Sequence, residues 1–280
     1  MSGIDIEELL AFVDTMPAFR SSVQRLLQLT ADIDADSRDI VHVIESDPLM
    51  TVKILKVINS PFYGLTNKIS SIQRAVVHLG FNSIKNMALA VAAMGMLPAK
   101  NQAGLDNRAF LLHSLTTAAL SKKLAERLQV PAMQSSDYFV AGLLHDFGKI
   151  VFAEFVPTTY QTILQTARQH DRALNLVESE VLGIDHSQTG KLLAEHWGLA
   201  DDLIIAIDHH HNEYLNSVLS DCLFAANQIS KRLQLGFAGN PVTRPFPPGV
   251  KRRFGRDLDD LITELGDLSP IQSEALAFID

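Results

Sequence analysis

The sequence predicts an all-α protein, a helical bundle, on three observations. Apolar residues recur at helical spacing along almost the whole chain. Capping residues, prolines and glycines stand where helices start and stop. No alternating apolar run is bounded by Asn-Gly or Asp-Gly, so strand signals are weak.

The elements follow in order. Leu26, Leu27, Leu29 and Ile33 lie at helical spacing, and Ile40, Val41, Val43 and Ile44 begin a further helix. Ser46-Asp47-Pro48 is a helix start, with a capping side chain and proline at the first helical position. That helix runs through Met50, Ile54, Leu55 and Ile58 and stops near Asn59-Ser60-Pro61. Ser70-Ser71 caps the next, which ends at Gly80. Met87 to Leu97 is the most apolar stretch, too short for a bilayer and suited to a buried helix. Its alanines at 88, 90, 92 and 93 and Gly95 let neighbouring helices approach.

Residues 100–107 are polar and read as a linker. They divide an N-terminal helical subdomain, 1–100, from a histidine-bearing one, 101–235, and 236–280 form a C-terminal segment. Within 236–255, Pro241, Pro245, Pro247 and Pro248 accompany Arg244, Lys251, Arg252 and Arg253. This pattern predicts an exposed basic loop rather than a packed element. The acidic stretch 257–280 predicts one or two short helices.

The chain has 280 residues, 47% of them hydrophobic, which is enough for a sizeable core. The net charge of −8 argues against nucleic-acid binding, which needs a basic stripe, and against anionic membrane surfaces. A single cysteine, Cys222, rules out an intrachain disulfide and fits a reducing cytoplasm. The first residues carry no basic segment ahead of an apolar one, so no secretory leader is expected.

Histidines carry the chemistry. His113 lies on a helix predicted over 106–128, on the face continued by Thr116, Leu120 and Leu124. His145-Asp146 closes a helix predicted to start at Ser135 or Ser136, with Gly148 supplying its end. Consecutive residues on a helix point about 100° apart, so both can meet one ion only near a helix end. Asp146 has two oxygens and can bridge two ions, and Lys149 is a point charge suited to phosphate. His186 follows Asp185, a cap paired with Gln188, and the helix dipole there favours a neutral ring, the metal-binding form. His209-His210-His211 ends a helix predicted over 201–212. His210 and His211 continue the face of Ile207, while His209 points away. His42, His78, His170 and His196 lack such company. Neutral imidazoles with a carboxylate suit a divalent transition ion: iron, manganese, zinc or nickel, one or two per chain.

His145-Asp146 ahead of Gly148-Lys149 resembles the motif of the HD superfamily of metal-dependent phosphohydrolases. Residues 46–64, with the Asp-Pro helix and the Asn-Ser turn, and residues 69–80 resemble the HDOD family, a bacterial signal-transduction branch. The similarity spans roughly residues 14–235. It implies an all-α bundle with an HD, phosphodiesterase-like core. Measured against the related HD-GYP phosphodiesterases, His113, His145, Asp146, His186, His210 and His211 match ligand positions. The Gly-Tyr-Pro loop is absent, since Asn-Glu-Tyr-Leu follows His211. The last ligand of the superfamily, an aspartate, is matched by Asn227. Asp221 lies six residues earlier, about 240° round the helix.

Of two functions, the first is the preferred reading, because the last ligand is missing, and the second is its alternative. One is a signalling module acting mainly by contact with protein partners, residues 14–97 presenting the surface. The other is a phosphohydrolase acting on a phosphate-containing small molecule, with Asp146 and Lys149 as catalytic residues.

Overall fold

The computed structural model describes all residues except 1–3, 16–24, 27–28, 30–36, 64, 96, 98–100, 212–215, 241 and 280. Among the described residues there is no strand. The N-terminal helices are α1 (Ile6–Thr15), α2 (Ser37–Ser46), α3 (Pro48–Ile58), α4 (Ile72–Leu79) and α5 (Phe81–Met94). A 3-10 turn, Pro61–Tyr63, follows α3. Next come α6 (Asn107–Arg127), α7 (Ala132–Leu144), α8 (Gly148–Phe155), α9 (Pro157–Gln169), α10 (Leu174–Leu182), α11 (His186–His196), α12 (Asp201–Asp208) and α13 (Val218–Arg232). The chain closes with α14 (Pro248–Phe254), α15 (Leu258–Leu265) and α16 (Ser269–Ile279). No described helix is long and apolar enough to cross a membrane.

The expected caps are in place. Asp47 accepts from the amides of Leu49 and Met50 ahead of α3, and Ser71 accepts from Arg74 ahead of α4. Asp106 caps α6, and Asp185 with Gln188 forms a full capping box on α11. Leu26 and Leu29 are helical and buried, whereas Leu27 and Ile33 lie outside the described residues.

The long helix α6 is the spine, packed between α7, α13 and α16. Gly142 makes its contact with α7 possible, because a Cβ there would sit 2.4 Å from the Ala118 Cα. The N-terminal helices seat on the other side of α7. Ser136 and Ser83 hydroxyls bond at 2.7 Å, and Asn86 donates to Asp137 at 3.0 Å. The rings of Phe62 and Tyr63 lie against Phe139.

Three expectations need correction. First, α7 starts at Ala132 after Pro131, three residues before Ser135, without a side-chain cap bond. Second, Gly148 does not end α7; α7 ends at Leu144, and after the turn 145–147 Gly148 opens α8. A Cβ at Gly148 would lie 2.2 Å from the His186 carbonyl oxygen, so close approach dictates the glycine. Third, segment 236–255 is a packed element rather than an exposed loop. Ala238, Asn240 and Phe246 are buried, and 248–254 are helical. Its start is tied to α6: the Phe237 amide donates to the Ala109 carbonyl at 3.0 Å, and Thr116 Oγ1 donates to the Leu235 carbonyl at 2.9 Å. The acidic end forms two helices, α15 and α16, as expected.

Candidate metal centre

Four pieces of the bundle deliver six side chains to one point. The middle of α6 brings His113, and the α7–α8 turn brings His145 and Asp146. The first turn of α11 brings His186, and the residues after α12 bring His210 and His211. All six are buried. Asp146, His186, His210 and His211 each offer a ligand atom within 4.8 Å of the others, as do His113, His145 and Asp146. Asp146 is common to both groups.

The carboxylate is addressed on both oxygens. Its Oδ2 lies 3.4 Å from His113 Nε2 and 3.3 Å from His145 Nε2. Its Oδ1 lies 3.3 Å from His186 Nε2 and 3.4 Å from His210 Nε2. His211 Nε2 is 2.6 Å from His186 Nε2. Two ring nitrogens that close must share a proton or an ion.

The other nitrogens are anchored. His145 Nδ1 donates to the Gly142 carbonyl at 2.8 Å and His210 Nδ1 to the Ile207 carbonyl at 2.7 Å. His186 Nδ1 bonds Glu178 Oε2, and its amide donates to the same oxygen at 3.0 Å. Tyr160 donates to the other Glu178 oxygen at 2.8 Å. Ser230 Oγ lies 3.1 Å from His113 Nδ1 and donates to the Leu235 carbonyl at 3.1 Å, which leaves it to accept from His113. Anchoring Nδ1–H this way fixes the tautomer that bares Nε2, as in metal-bound histidines.

The bared atoms lack protein partners. His113 Nε2, His145 Nε2, His210 Nε2 and Asp146 Oδ1 are buried and make no hydrogen bond within the described residues. A buried group left unsatisfied costs about 1–3 kcal/mol. Several converging lone pairs with no donor fit a divalent cation.

Electrostatics agree. Burial pushes His113 down to about 4 and His210 down to about 3, with Asp146 opposing in both. Burial, with His210 and His186 acting the same way, takes His211 well below the ordinary range. Burial also works against the Asp146 charge, but His145 and Lys149 hold that carboxyl well below its usual value. His186 differs. Burial would lower it, yet Glu178 raises it above the ordinary value. The helix-start argument for a neutral His186 ring missed this carboxylate.

The remaining candidates fall as follows. Lys149 is buried with its ammonium 2.7 Å from Asp146 Oδ2. His209 is set apart, its side chain 37% exposed beside Asp208. His42, His78, His170 and His196 lie on the surface. Asp221 is no substitute ligand, because it pairs with Arg253. Asn227 is fully buried with both amide atoms unpartnered, one turn before Ser230. Sequence reasoning missed Glu178 and Ser230. Glu178 could have been found, since it lies four residues from both Leu174 and Leu182, a charge on a buried apolar stripe.

Arg244 also reaches the centre, from the segment expected to be exposed. Its Nη1 donates to the His211 carbonyl at 2.9 Å and its amide to Gln228 Oε1 at 2.7 Å. Lys231, at the end of α13, is half-buried. Burial pushes its ammonium down to about 7, with Lys149 and Arg244 adding to the effect and Asp146 opposing it.

Fold and centre define an all-helical protein with a buried histidine–aspartate cluster fitted to metal. The chain belongs to the HDOD domain family, whose domain model matches residues 16–213. Solved structures of the same fold include an HDOD domain protein of unknown function from Geobacter sulfurreducens, 23% identical, TM-score 0.72, covering 97% of this chain and 96% of that one. Another is an inferred phosphohydrolase from Shewanella amazonensis SB2B, 23% identical, TM-score 0.68, covering 97% and 98%. At these identities the likeness is one of fold. A curated relative, an uncharacterized protein of Treponema pallidum (strain Nichols), is 23% identical over 200 residues, 71% of this chain. This chain spans 38% of that relative's length.

Proposed function

We propose that this chain is a metal-dependent phosphohydrolase of the HD type, carried on a signalling-module scaffold. The observation that carries this is the convergence of the bared, unpartnered Nε2 atoms of His113, His145 and His210 on both oxygens of Asp146. When bound, one or two divalent ions (iron, manganese, zinc or nickel) supply activation of water and charge neutralisation at phosphorus. His113, His145 and Asp146 would hold one ion, and Asp146, His186, His210 and His211 the other. Lys149 keeps Asp146 ionised and fixes one of its oxygens. Glu178, Ser230 and the Gly142 and Ile207 carbonyls keep the rings aimed.

Metal analysis of protein purified without added metal tests this, joined to hydrolysis of p-nitrophenyl phosphate. The expected content is about one or two ions per chain. His145→Ala should abolish content and turnover together, and His209→Ala should leave both. A metal-free, inactive parent overturns the reading.

A second reading has its own support. The N-terminal half exposes Val52 at 62% on α3 and Val77 at 83% on α4, large apolar side chains in a part of the chain without ligand residues. Scattered apolar exposure is ordinary, but exposed apolar groups on adjoining helices suit a protein partner. In this reading the module acts by contact with a signalling protein. Complementation of a deletion strain by folded, metal-free Asp146→Ala separates the two: rescue favours contact, failure favours chemistry.

A further inference from the structure

Among the described residues, more positive charge lies around the centre than their carboxylates neutralise. Lys149 is matched by Asp146 at 2.7 Å. Lys231 and Arg244 have no carboxylate partner among the described residues. Among the described residues Arg244 bonds only neutral groups: the His211 carbonyl, Gln228 Oε1 through its amide, and Asn175 Oδ1 at 3.4 Å. Lys231 forms no ion pair among the described residues. Lys231 follows Ser230, whose hydroxyl lies 3.1 Å from His113 Nδ1, and Arg244 donates to the His211 carbonyl at 2.9 Å, so each cation is tied to a ligand histidine. Both are half-buried, while the histidines and Asp146 beneath them are closed off. They are therefore more accessible than the side chains of the centre beside them. Divalent ions would add further positive charge. Unpaired cations in a partly dry site call for an anion.

We infer that Lys231 and Arg244 form a phosphate subsite beside the metal centre, built for the dianion of a phosphomonoester rather than for a phosphodiester. This rests on the phosphohydrolase reading and names its substrate class. The choice between esters follows from charge. A monoester phosphate near neutral pH carries close to two negative charges, whereas a diester carries one. Arg244 is a fixed cation, and an anion beside Lys231 restores the charge that burial weakens, so the doubly charged monoester matches the pair better than the singly charged diester. The guanidinium can also bond two oxygens of one phosphate, and the ammonium can bond the third. Both residues lie beyond the segment 16–213 that the family model matches. The C-terminal segment thereby becomes part of substrate recognition.

Calorimetric titration with inorganic phosphate and with dimethyl phosphate tests the subsite, on the full chain with and without added Mn2+. Phosphate should bind the parent about tenfold or more tighter than dimethyl phosphate. Lys231→Met and Arg244→Gln should each weaken phosphate about tenfold or more. Metal content measured on the same samples should be unchanged in Lys231→Met, since Lys231 makes no hydrogen bond or ion pair to a ligand residue among the described residues. Arg244→Gln removes a bond to His211, so Lys231→Met decides if that variant loses metal. A parent that holds no metal but binds phosphate through Lys231 and Arg244 fails the phosphohydrolase reading and keeps the subsite. Phosphate binding that ignores Lys231→Met, equal affinity for dimethyl phosphate, or no phosphate binding in either form overturns it.

Discussion

Glu178 grips His186 twice, accepting from its backbone amide at 3.0 Å and from its ring Nδ1 with the same oxygen. The contact ties α10 to the first turn of α11. It orients the ring whose Nε2 faces Asp146 at 3.3 Å, and it places a buried negative charge behind that ring. Tyr160 from α9 holds the other Glu178 oxygen, so the grip reaches a third helix.

Glu178→Gln keeps the shape and removes the charge. His186 becomes a weaker donor of electrons, and metal affinity should fall about 10- to 100-fold, the usual range for a partner behind a ligand. Tyr160→Phe should fall less. A competitive chelator titration of both variants measures this, and an unchanged Glu178→Gln affinity would refute the role.

Gly148→Ala should destabilise the fold by about 1–3 kcal/mol or more, because its Cβ meets the His186 carbonyl oxygen at 2.2 Å. The strain falls on the α8–α11 contact that carries His186. Urea unfolding gives the stability, and metal content should fall with it. An unchanged midpoint would mean that the two helices part without cost.

The metal-free protein should lose stability as the pH falls from about 6.5 to 4. His113 is pushed down to about 4 and His210 to about 3, so across this window the unfolded chain binds protons that the folded chain refuses. His211, also lowered, acts in the same direction. His186, raised by Glu178 against its burial, works above that window: its contribution is complete below 6.5 and is lost as the pH rises through its folded value. Urea midpoints at pH 7 and pH 5 measure the effect. His113→Gln should flatten the slope, and an equal slope in that variant would assign the loss elsewhere.

Asn227→Asp should strengthen metal retention. The amide is buried with both atoms unpartnered, one turn before the residue that holds His113. A charged oxygen there would be a better ligand than an amide. Dialysis against a chelator gives the comparison. Faster metal loss from the variant would remove position 227 from the centre.

The all-α class and the starts of α3, α4, α6 and α11 could be read from the chain, because each depends on local physics, while the six site residues were legible through the family resemblance. A cap is a side chain within three residues of the amide it satisfies, and a helical stripe is fixed by a 3.6-residue period. The helical period sets His209 apart from His210 and His211, and the structure keeps that division although α12 ends at Asp208 and residues 209–211 form turns. The tertiary structure decided what separates in sequence and meets in space. Gly148 looked like a stop signal and proved to be a clearance for the His186 backbone. Glu178 and Ser230 became the holders of histidines 8 and 117 residues away. Arg244 left an expected solvent loop to bond the His211 carbonyl. Local spacing has no term for these, since each is set by how closely two distant helices approach and by which charge lies buried between them.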